Sequence, residues 1–457
     1  MRRSLAILAA TAATASAAFA DAPPVPDFDP GLIPDPVVLM PEGPATGTVF
    51  LLSDGDGWGD AEATLAARLR HANAVVVGID LPRYFPAIDA GVAAQGKSCA
   101  YLVADFERIG HALQRATGAD TFHAPILAGF GEGGALAIDV LSQTPADTLG
   151  AVIAANPTAG EALGTRLCTK FDRVDASDGG ASYALPAGAQ PAPLTLVLGS
   201  DADADATARA DALGTAGVTL TRKQSPAAGE AALGDAIAST IAEAAIAGDA
   251  PAIVELSTEP KHDAMAIMLS GDGGWRDLDK TVAGLLQTDG VPTVGVDSLR
   301  WFWSRRTPEE TGRELARLID VYTERWNVEK VILAGYSFGA SVLPAAFRTM
   351  PPETQARVTE ISLLAPGATA DWEITVAGWL GSASSDATPT GPEIAALPTG
   401  LVQCIHGDQE TDSACPGVDP NKVEVISTKG GHHFDGDYAG IATHILDGLE
   451  SRVAAGR

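Results

Sequence analysis

Val331-Ile332-Leu333-Ala334-Gly335-Tyr336-Ser337-Phe338-Gly339-Ala340-Ser341-Val342-Leu343 is the stretch on which the reading of this chain turns. Its first four residues are apolar throughout, as expected of a strand buried on both faces. From Ala340 the pattern reads as the start of a helix. Between them Gly335-Tyr336-Ser337-Phe338-Gly339 matches G-x-S-x-G, in the strand–turn–helix context that makes the pattern a nucleophile elbow. The glycines permit a sharp turn, so the Ser337 hydroxyl can stand clear of the backbone. The helix N-terminus behind it favours developing negative charge. Working outward, short apolar runs predict strands over Ala264 to Leu269, Thr293 to Val296, Ile361 to Leu364, Leu401 to Ile405 and Lys422 to Ile426. Helical stretches alternate with them at Leu278 to Thr288, Pro308 to Trp326, Ser341 to Phe347 and Asp437 to Ala454. That alternation predicts a mostly parallel sheet flanked by helices.

The same pattern occurs twice. Val49-Phe50-Leu51-Leu52-Ser53-Asp54-Gly55-Asp56-Gly57-Trp58-Gly59-Asp60 matches Ala266-Ile267-Met268-Leu269-Ser270-Gly271-Asp272-Gly273-Gly274-Trp275-Arg276-Asp277. At the same offset Val77-Gly78-Ile79-Asp80-Leu81-Pro82-Arg83-Tyr84-Phe85 matches Val294-Gly295-Val296-Asp297-Ser298-Leu299-Arg300-Trp301-Phe302. Ile126-Leu127-Ala128-Gly129-Phe130-Gly131-Glu132-Gly133 then matches Ile332 to Gly339, and Gly131 stands where the second half has Ser337. Ala228-Gly229-Glu230 falls where the second half has Gly431-His432-His433. The first half therefore reads as a degenerate copy, retained for folding, docking or substrate capture. The expected organisation is a leader over 1–20, a degenerate α/β-hydrolase-like domain over 21–248 and a catalytic α/β-hydrolase domain over 249–457.

A serine hydroxyl is a weak nucleophile and needs a base within hydrogen-bond reach. In this fold the chain order is Ser, then acid, then His. Gly430-Gly431-His432-His433-Phe434 follows the last predicted strand, where the histidine loop belongs. His432, directly after a glycine and two residues before an aromatic, is favoured as the base over His433. The acid is sought in Gly407-Asp408-Gln409-Glu410-Thr411-Asp412. Asp412 is favoured on its spacing to Pro416, with Glu410 and then Asp408 as alternatives. The oxyanion hole needs two backbone N–H groups. Phe338 would supply one, and Asp272 or Gly273, in the glycine-rich loop after the second half's first strand, the other. A phosphate-binding loop is disfavoured there, since neither a Walker lysine nor G-x-G-x-x-G is present. Trp275, Arg300 and Trp301 are candidate substrate-binding residues. For the aromatic and cationic run Arg300 to Arg306, a core-plus-solvated-arginine reading stands beside a headgroup-binding one. Asp371 to Leu380 reads as a lid or a plain surface insertion.

Arg2 and Arg3, the apolar Leu5 to Ala18 and Ala18-Phe19-Ala20 read as a secretory leader, with Asp21 as the expected mature start. Export to a periplasm fits the even cysteine count, and Cys404 with Cys415 and Cys99 with Cys168 are the expected disulfides. None of the cysteines has metal-ligand spacing, so neither metal nor cofactor is expected. The formal net charge of −28 disfavours nucleic acid as a direct partner and suits cationic ligands.

Taken together, Leu269-Ser270-Gly271-Asp272-Gly273-Gly274-Trp275-Arg276-Asp277-Leu278-Asp279, Gly335-Tyr336-Ser337-Phe338-Gly339-Ala340 and Gly430-Gly431-His432-His433-Phe434-Asp435-Gly436-Asp437-Tyr438 resemble the AcvB/VirJ family of bacterial virulence proteins. The two-half arrangement is similar to its longer, AcvB-like members. The resemblance implies a periplasmic serine hydrolase acting on aminoacylated phosphatidylglycerol, notably lysyl-phosphatidylglycerol, and a link to type IV secretion components as partners. It carries over Ser337 and the His432-His433 pair directly, and the acid less securely.

Overall fold

The computed structural model describes residues 23–177, 179–247, 252–375 and 384–456. The leader expected over 1–20 and the boundary expected at 248/249 lie outside the described residues, as does half of the segment read as a lid, 376–380.

Each half is built on a seven-stranded sheet. In the first the strands are β1 (Val37–Leu39), β2 (Gly47–Leu52), β3 (Ala74–Ile79), β4 (Ile126–Phe130), β5 (Ala151–Ala155), β6 (Leu194–Leu198) and β7 (Thr221–Gln224). In the second they are β8 (Ile253–Leu256), β9 (Ala264–Leu269), β10 (Thr293–Val296), β11 (Lys330–Tyr336), β12 (Val358–Leu364), β13 (Val402–Gly407) and β14 (Glu424–Thr428). The spatial orders are β1-β3-β2-β4-β5-β6-β7 and β8-β10-β9-β11-β12-β13-β14, the same topology twice. In each sheet only the first-named edge strand runs antiparallel. This is the two-domain α/β-hydrolase architecture expected from the duplicated motifs. β8 was not anticipated. It is a short, half-exposed edge strand, and its Glu255 accepts bonds from Tyr322 Oη at 3.1 Å and Arg325 Nη1 at 2.7 Å instead of joining an apolar run.

The central strands β2, β3, β9 and β10 are buried along their whole length, which is why they read as unbroken apolar runs. Helices cover both faces. Those of the first half are α1 (Asp60–His71), α2 (Leu81–Ala94), α3 (Val103–Ala116), α4 (Gly131–Val140), α5 (Ala204–Thr215) and α6 (Gly229–Ala247); those of the second are α7 (Asp277–Thr288), α8 (Pro308–Trp326), α9 (Phe338–Thr349) and α10 (Tyr438–Ala454), one-turn helices aside. α8 shows how locally its limits are set. Thr307 and Glu310 form a capping box at its start, and Asn327 ends it in the left-handed conformation. Phe302, Trp303 and Phe347 are fully buried beside α8 and α9, each contributing about 2 kcal/mol. Phe122 of the first half packs in the same cluster, so the two domains share a core.

Both expected disulfides are present, Cys99–Cys168 and Cys404–Cys415. Among the described residues no helix is long and apolar enough to cross a membrane, and no acidic, histidine or cysteine cluster could hold a metal ion.

Candidate active site

Ser337 lies between the end of β11 and the start of α9 with φ 52° and ψ −111°. A non-glycine residue rarely adopts this backbone, and such strain collects at functional sites. Its N–H donates to Leu364 O at 2.8 Å, anchoring the turn to the neighbouring strand. Gly339 is required because a Cβ there would stand 2.5 Å from Leu269 O.

His432, on the loop after β14, brings Nε2 to 2.9 Å from Ser337 Oγ. Its Nδ1 lies 2.6 Å from Glu410 Oε1, and Glu410 Oε2 accepts the Gly407 N–H at 2.9 Å. The Glu410 side chain is 3% exposed and that of His432 42%. Burial opposes charge on both groups. For Glu410 the bonds from His432 and Gly407 outweigh it and hold the carboxyl below its ordinary range. For His432 the Glu410 bond and charge, with Asp412 and Asp272 adding, hold the imidazole above its ordinary range. The pair is thus tuned so that an imidazolium formed during reaction is stabilised.

The preference for Asp412 as the acid is corrected by this geometry. Asp412 lines the cavity and adds negative potential at His432, but Glu410 makes the contact with Nδ1. Glu410, three residues past Gly407, is folded back by the bond from the Gly407 N–H, which holds its other oxygen toward the histidine, within a loop that the Cys404–Cys415 bridge spans. Asp408 accepts the Gly430 N–H at 2.9 Å and so shapes the histidine loop. His433, the alternative base, points elsewhere, its Nδ1 lying 3.0 Å from Tyr336 Oη. The same hydroxyl donates to His432 O at 3.2 Å. Tyr336, the variable residue of the serine motif, is thereby a support of the histidine loop that motif reading passed over.

A cavity of about 370 Å³ opens beside Ser337 and His432, lined also by Phe338, Asp272, Asp371, Glu373, Asp412 and small polar residues. Phe338 and Asp272, expected to bear oxyanion donors, both face it. Gly273 does not, and instead lies beneath the Arg276 guanidinium. Burial pushes the Asp272 carboxyl up, opposed by Arg276 and His432. Asp371 and Glu373 belong to the segment read as a lid or a plain surface insertion, not as cavity carboxylates. No local pattern marks them as cavity residues, because the chain has to fold back over α9 to bring them there.

Three expected substrate contacts are placed elsewhere. Trp275 is 4% exposed, its ring lying against Gly295 of β10. Trp58 lies against Gly78 in the same way in the first half, so this tryptophan belongs to the fold of both copies. Arg300 pairs with Asp297 at 3.5 Å, and Trp301 packs on Phe302 beneath Arg306. Neither lines the cavity.

The first half keeps the elbow without the chemistry. Gly131 has φ 54°, matching Ser337, but carries no hydroxyl. Asp54 Oδ1 accepts the N–H groups of Gly55 and Glu132, each at 2.8 Å. By the duplication these correspond to Asp272 and Phe338. A carboxylate oxygen therefore occupies, in the inert copy, the position an oxyanion would take, and this points to Asp272 rather than Gly273 as the second donor.

A sheet of this order, a strained serine at the end of its central strand, and a histidine and carboxylate on the following loops define an α/β serine hydrolase. Residues 263–453 match the family described as bacterial virulence protein (VirJ). Among solved structures, similarity is found to Est1E from Butyrivibrio proteoclasticus, at 13% identity over 44% of this chain and 93% of that one, TM-score 0.32. XC6422 from Xanthomonas campestris, an α/β serine hydrolase without a lid, is similar at 16% identity over 44% of this chain and 87% of that one, TM-score 0.30. A type II thioesterase, YbtT, is similar at 15% identity over 44% and 99%, TM-score 0.32. Comparison with curated proteins returns no match.

Proposed function

We propose that the chain hydrolyses the aminoacyl ester of aminoacylated phosphatidylglycerol, lysyl-phosphatidylglycerol foremost, at the periplasmic membrane surface, in a setting linked to virulence and type IV secretion. The observation that carries this reading is the charge of the cavity. Asp272, Asp371, Glu373 and Asp412 line it, and no lysine or arginine is among its described lining residues. Such a site favours an ester whose acyl group bears ammonium groups. The VirJ match supports the virulence setting, and the two disulfides fit an oxidising compartment.

In this reading Ser337 Oγ attacks the aminoacyl carbonyl carbon while His432 Nε2 takes its proton. Glu410 holds the imidazole with Nε2 toward the serine and stabilises the imidazolium. The Phe338 and Asp272 N–H groups stabilise the oxyanion. The phosphatidylglycerol oxygen leaves with the proton from His432. Water, deprotonated by His432, then attacks the acyl-serine, and free lysine departs as Ser337 is restored. The test is lysine release from lysyl-phosphatidylglycerol vesicles by the unaltered protein and by Ser337→Ala. Release only by the unaltered protein is expected. No release by either, with both folded, overturns the lipid assignment in favour of another ester or an adaptor role.

A further inference from the structure

We propose that helix α3 of the inert first domain is a positioning element for the active site of the second, acting through one stripe of side chains, Glu107, His111 and Arg115. The inference rests on Ser337 being the nucleophile, not on the identity of the lipid. The three residues are four apart and so lie on one helix face. Arg115 meets the cavity wall directly, and Glu107 and His111 reach the two oxyanion loops through one intervening side chain or its neighbour. Glu107, 9% exposed, pairs with Arg276, whose Nη1 also bonds Thr148 Oγ1 of the first domain at 3.1 Å. The Arg276 guanidinium in turn lies against Gly273, where a Cβ would come within 2.5 Å of Nη2. It therefore braces the loop carrying the Asp272 N–H from behind. From its own domain that loop is held by the buried Asp279, which accepts the Gly271 N–H.

His111 meets the Trp303 ring edge-on at 5.7 Å, and Trp303 Nε1 donates to Ala119 O at 2.8 Å. Burial between Arg276 and Arg115 lowers the His111 pKa to about 3, so it packs there as a neutral ring. The residue before Trp303, Phe302, lies 4.9 Å from Phe338, the other oxyanion residue. Arg115 lies over Trp303 at 4.1 Å, bonds Glu373 Oε1 at 2.7 Å and also donates to Ile374 O. Glu373 and Ile374 both line the cavity.

The duplication shows that these contacts are additions. Arg276 stands where the first half has Gly59, and Trp303 where it has Pro86. At both positions the second copy carries a large side chain that reaches into the first domain. A mere linker between domains would not need to back the loops carrying both oxyanion residues, through Arg276 and through Trp303 beside Phe302, and to bond the cavity wall at Glu373.

The experiment uses the full chain and the rate at which a fluorophosphonate labels Ser337, which reads nucleophile and oxyanion hole whatever the substrate. Glu107→Gln and Arg276→Gln are each expected to slow labelling about tenfold, since a small misplacement of a donor costs of that order. The double variant is expected to be no slower than either single one, because both remove one brace. Arg276→Lys, which keeps the charge, is expected to recover part of the rate. Lys280→Ala, which removes an exposed inter-domain pair with Asp147 away from the stripe, is expected to label normally. Thermal melting checks folding. If Glu107→Gln fails to fold, the partly exposed Arg115→Gln serves in its place and is expected to slow labelling severalfold. Labelling at the unaltered rate in whichever of these folds, or strictly multiplicative loss in the double variant, overturns the proposal. Failure of the unaltered chain to label overturns the serine-hydrolase reading and this inference with it.

Discussion

Glu410→Gln separates the competing readings of the acid. The substitution is nearly isosteric, and the glutamine carbonyl can keep the bond from Gly407 N–H that Glu410 Oε2 now accepts at 2.9 Å. Its amide NH₂ then faces His432 Nδ1, across a contact that is 2.6 Å in the unaltered protein. Two donors cannot share that contact, so the imidazole must carry its proton on Nε2. Nε2 is the atom 2.9 Å from Ser337 Oγ, and in that tautomer it cannot accept the serine proton. With the residue 410 side chain shielded from water, solvent cannot take over the orienting role. A wrong tautomer in such a triad costs roughly 10³–10⁴-fold in kcat, or about 4–5.5 kcal/mol. The assay is steady-state hydrolysis of a lysyl ester by Glu410→Gln and Asp412→Asn, side by side. Glu410→Gln is expected to fall by that amount and Asp412→Asn by less than tenfold. Full activity in the former with a thousandfold loss in the latter would refute the assignment and return the role to Asp412.

Two further outcomes follow from the same geometry. The pKa of His432 lies above its ordinary value of 6.5 and only the neutral imidazole can act as base, so kcat/KM should rise with pH through a midpoint above 6.5. Replacing Asp272 with Asn should move that midpoint down; an acid limb centred below 6.5 in the unaltered protein would contradict the arrangement. Gly131→Ser in a Ser337→Ala background should recover no hydrolysis of lysyl esters, because the Asp54 carboxylate already holds both donors and the first half lacks a histidine at the matching place.

The fold could be read from sequence because its main signals are local. An unbroken buried run such as Ala264 to Leu269 can be little else than a central strand, and a repeated motif shows that one topology occurs twice. Ser337 and His432 were legible for the same reason, each embedded in glycine-rich turns that the elbow and the histidine loop require. The acid was not. Glu410 and Asp412 lie two residues apart on one loop, and which of them reaches His432 depends on how that loop turns back on Gly407, a three-dimensional matter. Trp275 misled because a tryptophan among glycines beside a site looks like a ligand platform, whereas its counterpart Trp58 shows that the position packs on a strand. The cavity carboxylates Asp371 and Glu373, and the stripe on α3, meet partners far along the chain, Glu107 meeting Arg276 across 169 residues and Arg115 meeting Glu373 across 258, so no local pattern announces them.

The Asp54 carboxylate has a practical use. Held at 2.8 Å by two N–H groups in the inert copy, it is a built-in template for an inhibitor of the active one. Superimposing the two halves transfers one oxygen position onto the Asp272 and Phe338 donors. A boronate or phosphonate carried on a lysine-like arm, with its anionic oxygen set at that point and its central atom at Ser337, takes its design from the protein's own chain.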